Sequence, residues 1–446
     1  MAVLALREYE RIRTGERADF ANHIVTATQY ASLERLSEAY YKRFGVRVLQ
    51  HGPRRSLVAQ NYVGVFNIGC DQVEILPKID GPDPKLRKNF MRMLAVALQI
   101  DLHGGEASAV QQSHDSILEL LITLFCTSLW RALRGGMLRQ YVRRQDDLST
   151  LKGRFLLSQH LQRNVARPDR VTCEFDEFTE DNAVNRILRA ALQILRRLAR
   201  SAANQSRVSE LLFCFLEVAD VPPAKLPWHA AATNRNSARY QPLLSMARLI
   251  IDGHSPDVVS GANAGFALLF DMNQLFELYV GAMVRKVAHC NGSKVHLQGP
   301  SLHLARHDDD CPAFRLKPDV VVKRDNQVTC ILDTKWKRLK PDHANDGVSS
   351  GDIYQMYAYS SRYDAQDAIL LYPHHAGLGE LKARRSQYWL SDSDGKPRRH
   401  GIAVSTIDLA NLETVPAQLE RVMGSGTDRA AVLVDPVTCS ETPEQC

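Results

Sequence analysis

The chain has 446 residues, of which 45% are hydrophobic, 24% charged and 7% aromatic. That is enough apolar material for about three domains with real cores, and it excludes a disordered or collagen-like chain. Lys and Arg number 56 against 50 Asp and Glu, a net charge of +6, which permits contact with a polyanion without demanding it.

In chain order, the first hundred residues read as strand-rich. Tyr62-Val-Gly-Val-Phe-Asn-Ile68 and residues 72–76 are β-branched runs around a turn at residues 69–71, a hairpin pattern, and Pro77 ends the second run. Residues 85–100 read as a helix, as do 115–133, closed by Gly135 and Gly136. A basic, less periodic stretch follows over 139–170. Residues 181–200 are the clearest helix: Val184, Ile187, Leu188, Ala191, Ile194, Leu195 and Leu198 fall on one side, with arginines opposite. Another helix at 208–218 stops at Pro222 and Pro223. Residues 224–262 are rich in Ala, Asn, Ser, Pro and Gly and read as a connection that can hold one helix at 243–251. A helix is predicted over 267–289. Strands follow at 314–322 and 327–333, then a helix at 352–363 and a strand at 368–372. A hairpin around 392–395 leads to a last strand at 401–408. The division expected is a strand-rich region 1–105, a helical region 106–225, a connecting segment 226–262, an α/β domain 263–423 with a mixed central sheet flanked by helices, and a mobile tail 424–446.

The chemistry concentrates in Pro318-Asp319 and Asp333-Thr334-Lys335. The two segments flank a turn at residues 323–326, so they can pair as antiparallel strands that bring Asp319 and Asp333 to neighbouring positions. Two carboxylates there make a hard oxygen site suited to Mg²⁺. Lys335 lies two residues beyond Asp333 and so points to the same face, where it can orient or activate an attacking water. A metal stabilises charge on a phosphoryl oxygen and lowers the pKa of water, which is the equipment for phosphodiester hydrolysis. Two edge-strand aspartates and a solvated lysine would spell the same letters, so context matters. Glu277 lies on the preceding helix, and Gln355 and Tyr359, four apart, share one face of the following one.

This order of elements resembles the PD-(D/E)xK nucleases, and the similarity extends further. Asp271-Met-Asn-Gln-Leu-Phe-Glu277, Leu332-Asp-Thr-Lys-Trp-Lys337 and Asp352-Ile-Tyr-Gln-Met-Tyr-Ala-Tyr359 resemble the signature of the McrC family. So do Leu151-Lys-Gly-Arg-Phe155, Cys173-Glu-Phe-Asp-Glu177, Asp181-Asn-Ala-Val-Asn-Arg186 and Glu74-Ile-Leu-Pro-Lys78. The resemblance implies the nuclease subunit of a modification-dependent, methylcytosine-type restriction complex. It implies an N-terminal part, including 106–225, that docks on a McrB-like AAA+ GTPase ring and stimulates it, and a C-terminal domain that cuts double-stranded DNA carrying modified cytosine. The implied site residues are Asp319 and Asp333 as metal ligands, with the backbone carbonyl of Thr334 in support, Glu277 at the metal or a metal-bound water, Lys335 at the attacking water, and Gln355 and Tyr359 holding the site or a phosphate. Mg²⁺ is the expected metal, with Mn²⁺ a substitute. GTP belongs to the partner, in keeping with a sequence that has no Gly-x-x-x-x-Gly-Lys-Ser/Thr loop.

Other signals are weaker. Nine scattered cysteines without a Cys-x-x-Cys argue against a disulfide framework, a four-cysteine zinc ribbon and an iron–sulfur cluster. His289, Cys290, His296, His303, His307 and Cys311 have irregular spacing for zinc. The arginines of helix 181–200 read as a solvated basic face, and those between 131 and 154 as a candidate partner-binding segment. His374 and His375 read as a loop pair, and Trp336, facing away from Lys335, as core. No apolar run reaches the roughly 20 residues that cross a bilayer, and the first residues lack the basic start of a secretory signal, so a cytoplasmic protein with no membrane contact is expected. Competing readings are a non-cleaving adaptor that stimulates a nucleotide-hydrolysing ring, a free-standing recombination or repair nuclease, and a purely DNA-binding protein.

Overall fold

The computed structural model describes residues 3–68, 71–100, 116–232, 235–253, 266–391 and 397–424. It divides into two units: Met1–Lys78 with Phe90–Asp271, and Ile79–Asn89 with Met272–Cys446. The expected tail and the turn at 392–395 lie outside the described residues.

In the first unit, the β-branched run Tyr62–Ile68 pairs antiparallel with Asp71–Leu76, as the hairpin pattern predicts. Val3–Arg7 adds parallel to one side and Ala267–Asp271 antiparallel to the other. A second four-stranded sheet, ordered Ile24–Val25, Arg11–Thr14, Ser56–Ala59, Leu49–Gly52, lies earlier in the chain. The helix Ala27–Phe44 starts at a Thr26–Gln29 capping box and stops at left-handed Gly45. Its Tyr30, Leu33 and Leu36 join Leu4, Leu6, Ile12, Phe66, Val73 and Ile75 in one core.

Helices follow at Ile117–Leu133, Ala183–Leu198 and Ala202–Cys214. The apolar stripe read in the sequence is the buried stripe of Ala183–Leu198. Two of its arginines have internal partners: Arg186 makes paired 2.7 Å bonds to Asp181, and Arg189 donates to the carbonyls of Phe215 and Val218.

Several expectations need correction. The helix predicted at 267–289 is a strand, Ala267–Asp271, followed by the helix Met272–Cys290. An unbroken apolar run suits a buried strand as well as a helix. Here Gly64 decides, because a Cβ on it would stand 2.0 Å from the carbonyl oxygen of Leu268. The region read as helical also holds a three-stranded sheet of Gln140–Leu148, Val171–Thr179 and Arg154–Phe155. Its first strand, largely exposed and charge-rich, lacks the apolar alternation that announces a half-buried strand. The helix allowed for at 243–251 is present as Gln241–Gly253, which buries Leu243, Leu244, Met246, Ala247, Ile250 and Ile251 and packs on Ala183–Leu198. The boundary between units falls instead between Asp271 and Met272.

The second unit is α/β. Its six-stranded mixed sheet runs Lys294–Leu297, Val320–Arg324, Gln327–Thr334, Asp367–Pro373, Pro397–Ile407, Ser386–Ser391. The central three strands are parallel and the outer pairings antiparallel. Helices Met272–Cys290, Ser350–Tyr363 and Val415–Gly424 flank it. The strand predicted over 314–322 is split. Pro312–Leu316 pairs with Leu302–Arg306 in a separate ribbon, and Val320–Arg324 enters the sheet. Pro318 lies at the break, having no N–H to give a ladder. No helix among the described residues is long and apolar enough to cross a membrane.

Candidate active site

The site grows from the hairpin Val320–Arg324/Gln327–Thr334, turned by left-handed Asp325 and Asn326. Val320 lies opposite Leu332, so one further step sets Asp319 opposite Asp333. Strand alternation gives both aspartates the face of Val321 and Ile331, which packs on Met356 and Tyr359 of helix Ser350–Tyr363. Thr334 fixes Asp319 by donating both its backbone N–H and its hydroxyl to Oδ2, each at 2.7 Å. Beyond the strand end, Trp336 turns to the other face and meets the Phe276 ring at 5.3 Å, the core role expected of it.

Asp333 is only 2% exposed. Its Oδ2 has no aligned hydrogen-bond donor among the described residues; its close partner is the Lys335 ammonium, 2.6 Å away as an ion pair. Burial, and then the Asp319 charge, push the Asp333 carboxyl up to about 6 against the pull of Lys335. Burial alone would lower Lys335, but Asp333, Asp352 and Asp319 outweigh it and hold the ammonium above the usual lysine range. Gln355 accepts from Lys335 Nζ at 3.0 Å and donates to the Tyr359 hydroxyl at 2.8 Å. Burial pushes that phenol up to about 12.

Glu277 stands at the edge of this group. Gln298 donates to its Oε1 at 2.8 Å, while the Gln298 N–H donates to the Asp319 carbonyl. Burial first, and Asp319 second, raise the Glu277 carboxyl. Thus all six expected side chains interact in one connected group. Among the described residues, however, no three His, Cys, Asp or Glu side chains converge as a ready metal cage. The tight unit is a carboxylate pair, with Glu277 held off by Gln298. The same observation leaves the scattered His/Cys set between 289 and 311 without a zinc cage. His374 and His375 brace loops, through Thr406 and the Leu339 carbonyl.

One member escaped the sequence reading. Asp352, 8% exposed, lies 3.9 Å from Lys335 Nζ and 3.2 Å from Lys337 Nζ, and accepts from the Tyr372 hydroxyl. Its signal was present: positions 352, 355 and 359 share one helix face.

The molecule is thus an α/β protein with a carboxylate pair, its Asp333 buried and its Asp319 half-buried, and a lysine at the end of a mixed sheet. The family described as McrBC 5-methylcytosine restriction system component matches residues 57–373. The chain belongs to that family, and the segments from Glu74 to Tyr359 that carry the resemblance lie within the matched range. No curated protein matches it. Among solved structures, a chain of the refined half-complex from the tetradecameric assembly of Thermococcus gammatolerans McrB AAA+ hexamers with bound McrC is similar in fold. The TM-score is 0.65 at 19% identity, over 95% of this chain and 99% of that one. The cryo-EM structure of the Thermococcus gammatolerans McrBC complex aligns at 21% identity over 64% of this chain and 88% of that chain, with a TM-score of 0.49.

Proposed function

We propose that the chain is the Mg²⁺-dependent DNA endonuclease subunit of a modification-dependent restriction complex. Its DNA carries methylcytosine-type bases, and it acts with, and stimulates, an AAA+ GTPase ring. The observation that carries this reading is the convergence of Asp319, Asp333 and Lys335. The donors fit a hard divalent cation: two carboxylates, one with a buried oxygen lacking an aligned donor, and the Thr334 carbonyl beside them. Mn²⁺ suits the same oxygens. Such an ion, when bound, supplies charge stabilisation at a phosphoryl oxygen and a more acidic water.

The chain's own residues do the rest. Lys335 places positive charge at the scissile phosphate and orients or activates the attacking water. Gln355 fixes Nζ, and Tyr359 fixes Gln355. Thr334 holds Asp319 in register. Glu277 supplies an outer carboxylate through its bond with Gln298. Family membership supports the restriction role, and the solved assembly of McrB AAA+ hexamers with bound McrC supports a ring partner. The test is Asp333→Ala in the full chain with its partner: cleavage of methylated DNA is lost while the complex still forms. Wild-type cutting by that variant would refute the assignment.

A further inference from the structure

Residues 79–89 belong to the second unit, although Lys78 before them and Phe90 after them belong to the first. Two side chains of this short strap tie it down. Asn89, 5% exposed, donates to the carbonyls of Leu409 and Ala410 at 2.8 and 3.1 Å. Asp80 reaches two loops at once: Oδ1 lies 2.6 Å from Arg338 Nη2, and Oδ2 accepts the Ala376 N–H at 2.6 Å. Those loops leave adjacent parallel strands, Gln327–Thr334 and Asp367–Pro373, at the sheet end that carries Asp333 and Lys335. The first loop, 335–340, has no regular secondary structure. Its order comes from cross-braces: Trp336 on Phe276, Lys337 on Asp352, the Leu339 carbonyl on His375, and Arg338 on Asp80.

We propose that Asp80 is a positioning residue for cleavage: by clamping Arg338 and Ala376 together, it keeps the 335–340 loop, and with it Lys335, in the working position. This rests on the nuclease reading above. Asp80 and Arg338 are about two-fifths exposed, at 40% and 41%, and an exposed pair contributes little to global stability. Its effect is local. Misplacing a catalytic group by about 1 Å can cost on the order of a hundredfold in rate, and a braced loop prevents such drift.

The test uses the full chain. Asp80→Ala should speed amide hydrogen exchange at residues 335–340 and 374–378 in metal-free protein. With the GTPase partner and methylated DNA it should lower the single-turnover cleavage rate by about tenfold, while DNA affinity in Ca²⁺ and Tm stay near wild type. Asp80→Glu should restore part of the rate. Asn89→Ala serves as the control, since it loosens the same strap away from the site and should lower Tm more than rate. Unchanged exchange in Asp80→Ala, or a wild-type rate, overturns the proposal. So does a loss of rate and Tm in the same proportion as Asn89→Ala. If the wild-type complex cuts no DNA, the nuclease reading fails, and exchange alone decides whether the clamp exists.

Discussion

Asp333 and Lys335 define the chemistry at the scale of single residues, and their ionisation can be tested without DNA. The Asp333 carboxyl is raised by burial and by Asp319 to about 6, against about 3.9 in an unfolded chain. Between those values the folded, metal-free protein holds the extra proton. Its contribution to stability is therefore full below the lower value and is lost as pH rises through the upper one. A divalent cation competes with that proton, so its grip strengthens as pH rises through about 6. The rise in Tm caused by Mg²⁺ or Mn²⁺ should be small at pH 5 and large at pH 7.5, and Asp333→Asn should flatten the difference. Equal shifts at both pH values would contradict the pair as the cation site. Lys335 gives a second expectation. Lys335→Ala should cost about 10²-fold or more in cleavage, as losing one preorganised donor does, and yet keep the metal-induced Tm rise. A variant that loses both has lost the fold of the site rather than its cation.

At the scale of elements, what was legible in the sequence follows a physical division. The hairpin that carries Asp319 and Asp333 could be read because buried β-branched runs and a turn sit on either side of it. The helix Ala183–Leu198 could be read because its buried stripe has a period of 3.6. The strand Ala267–Asp271 was hidden in an apolar run that continues into a helix. Its partner Gly64 held the missing information, since only the tertiary contact shows why that position has no side chain. Gly64 has φ +148° and no room for a Cβ. Gly64→Ala should therefore destabilise the protein by at least the roughly 1–3 kcal/mol of a strained backbone, read as a fall in the denaturation midpoint. The loss should come without any direct effect on the metal-induced shift. The strand Gln140–Leu148 escaped because it is charge-rich with no apolar alternation, whereas Val171, Cys173 and Phe175 do alternate in Val171–Thr179 and that signal was passed over. At the site, Glu277, Gln355 and Tyr359 were legible from order and spacing. Asp352 shares the helix face of Gln355 and Tyr359, but spacing alone does not show that Lys335 and Lys337 reach across to it from another strand end.

At the scale of the whole chain, cutting and partner stimulation should be separable, because they rest on different residues. The Asp/Asp/Lys group sits in the second unit, whereas the segment expected to dock lies in the first. Within that segment the three-stranded sheet displays two large rings to solvent, Tyr141 at 74% exposed and Phe178 at 54%, with centroids 5.0 Å apart, and Leu151, Leu157 and Leu161, in the chain between its strands, are each more than half exposed. An exposed aromatic pair on one small sheet marks a surface that is covered in use, and aromatic anchors dominate protein–protein contacts. Burying one such ring contributes roughly 1.5–3 kcal/mol, so replacing both by charge should weaken binding at least tenfold. Tyr141→Glu with Phe178→Glu should therefore abolish stimulation of the partner's GTPase while leaving the pH-dependent metal shift of the second unit intact. Asp333→Ala should do the reverse, stimulating GTP hydrolysis at the wild-type level while cutting nothing. A doubly charged variant that still stimulates fully would move the docking surface off this sheet, since two glutamates in a buried aromatic contact cannot be accommodated without loss.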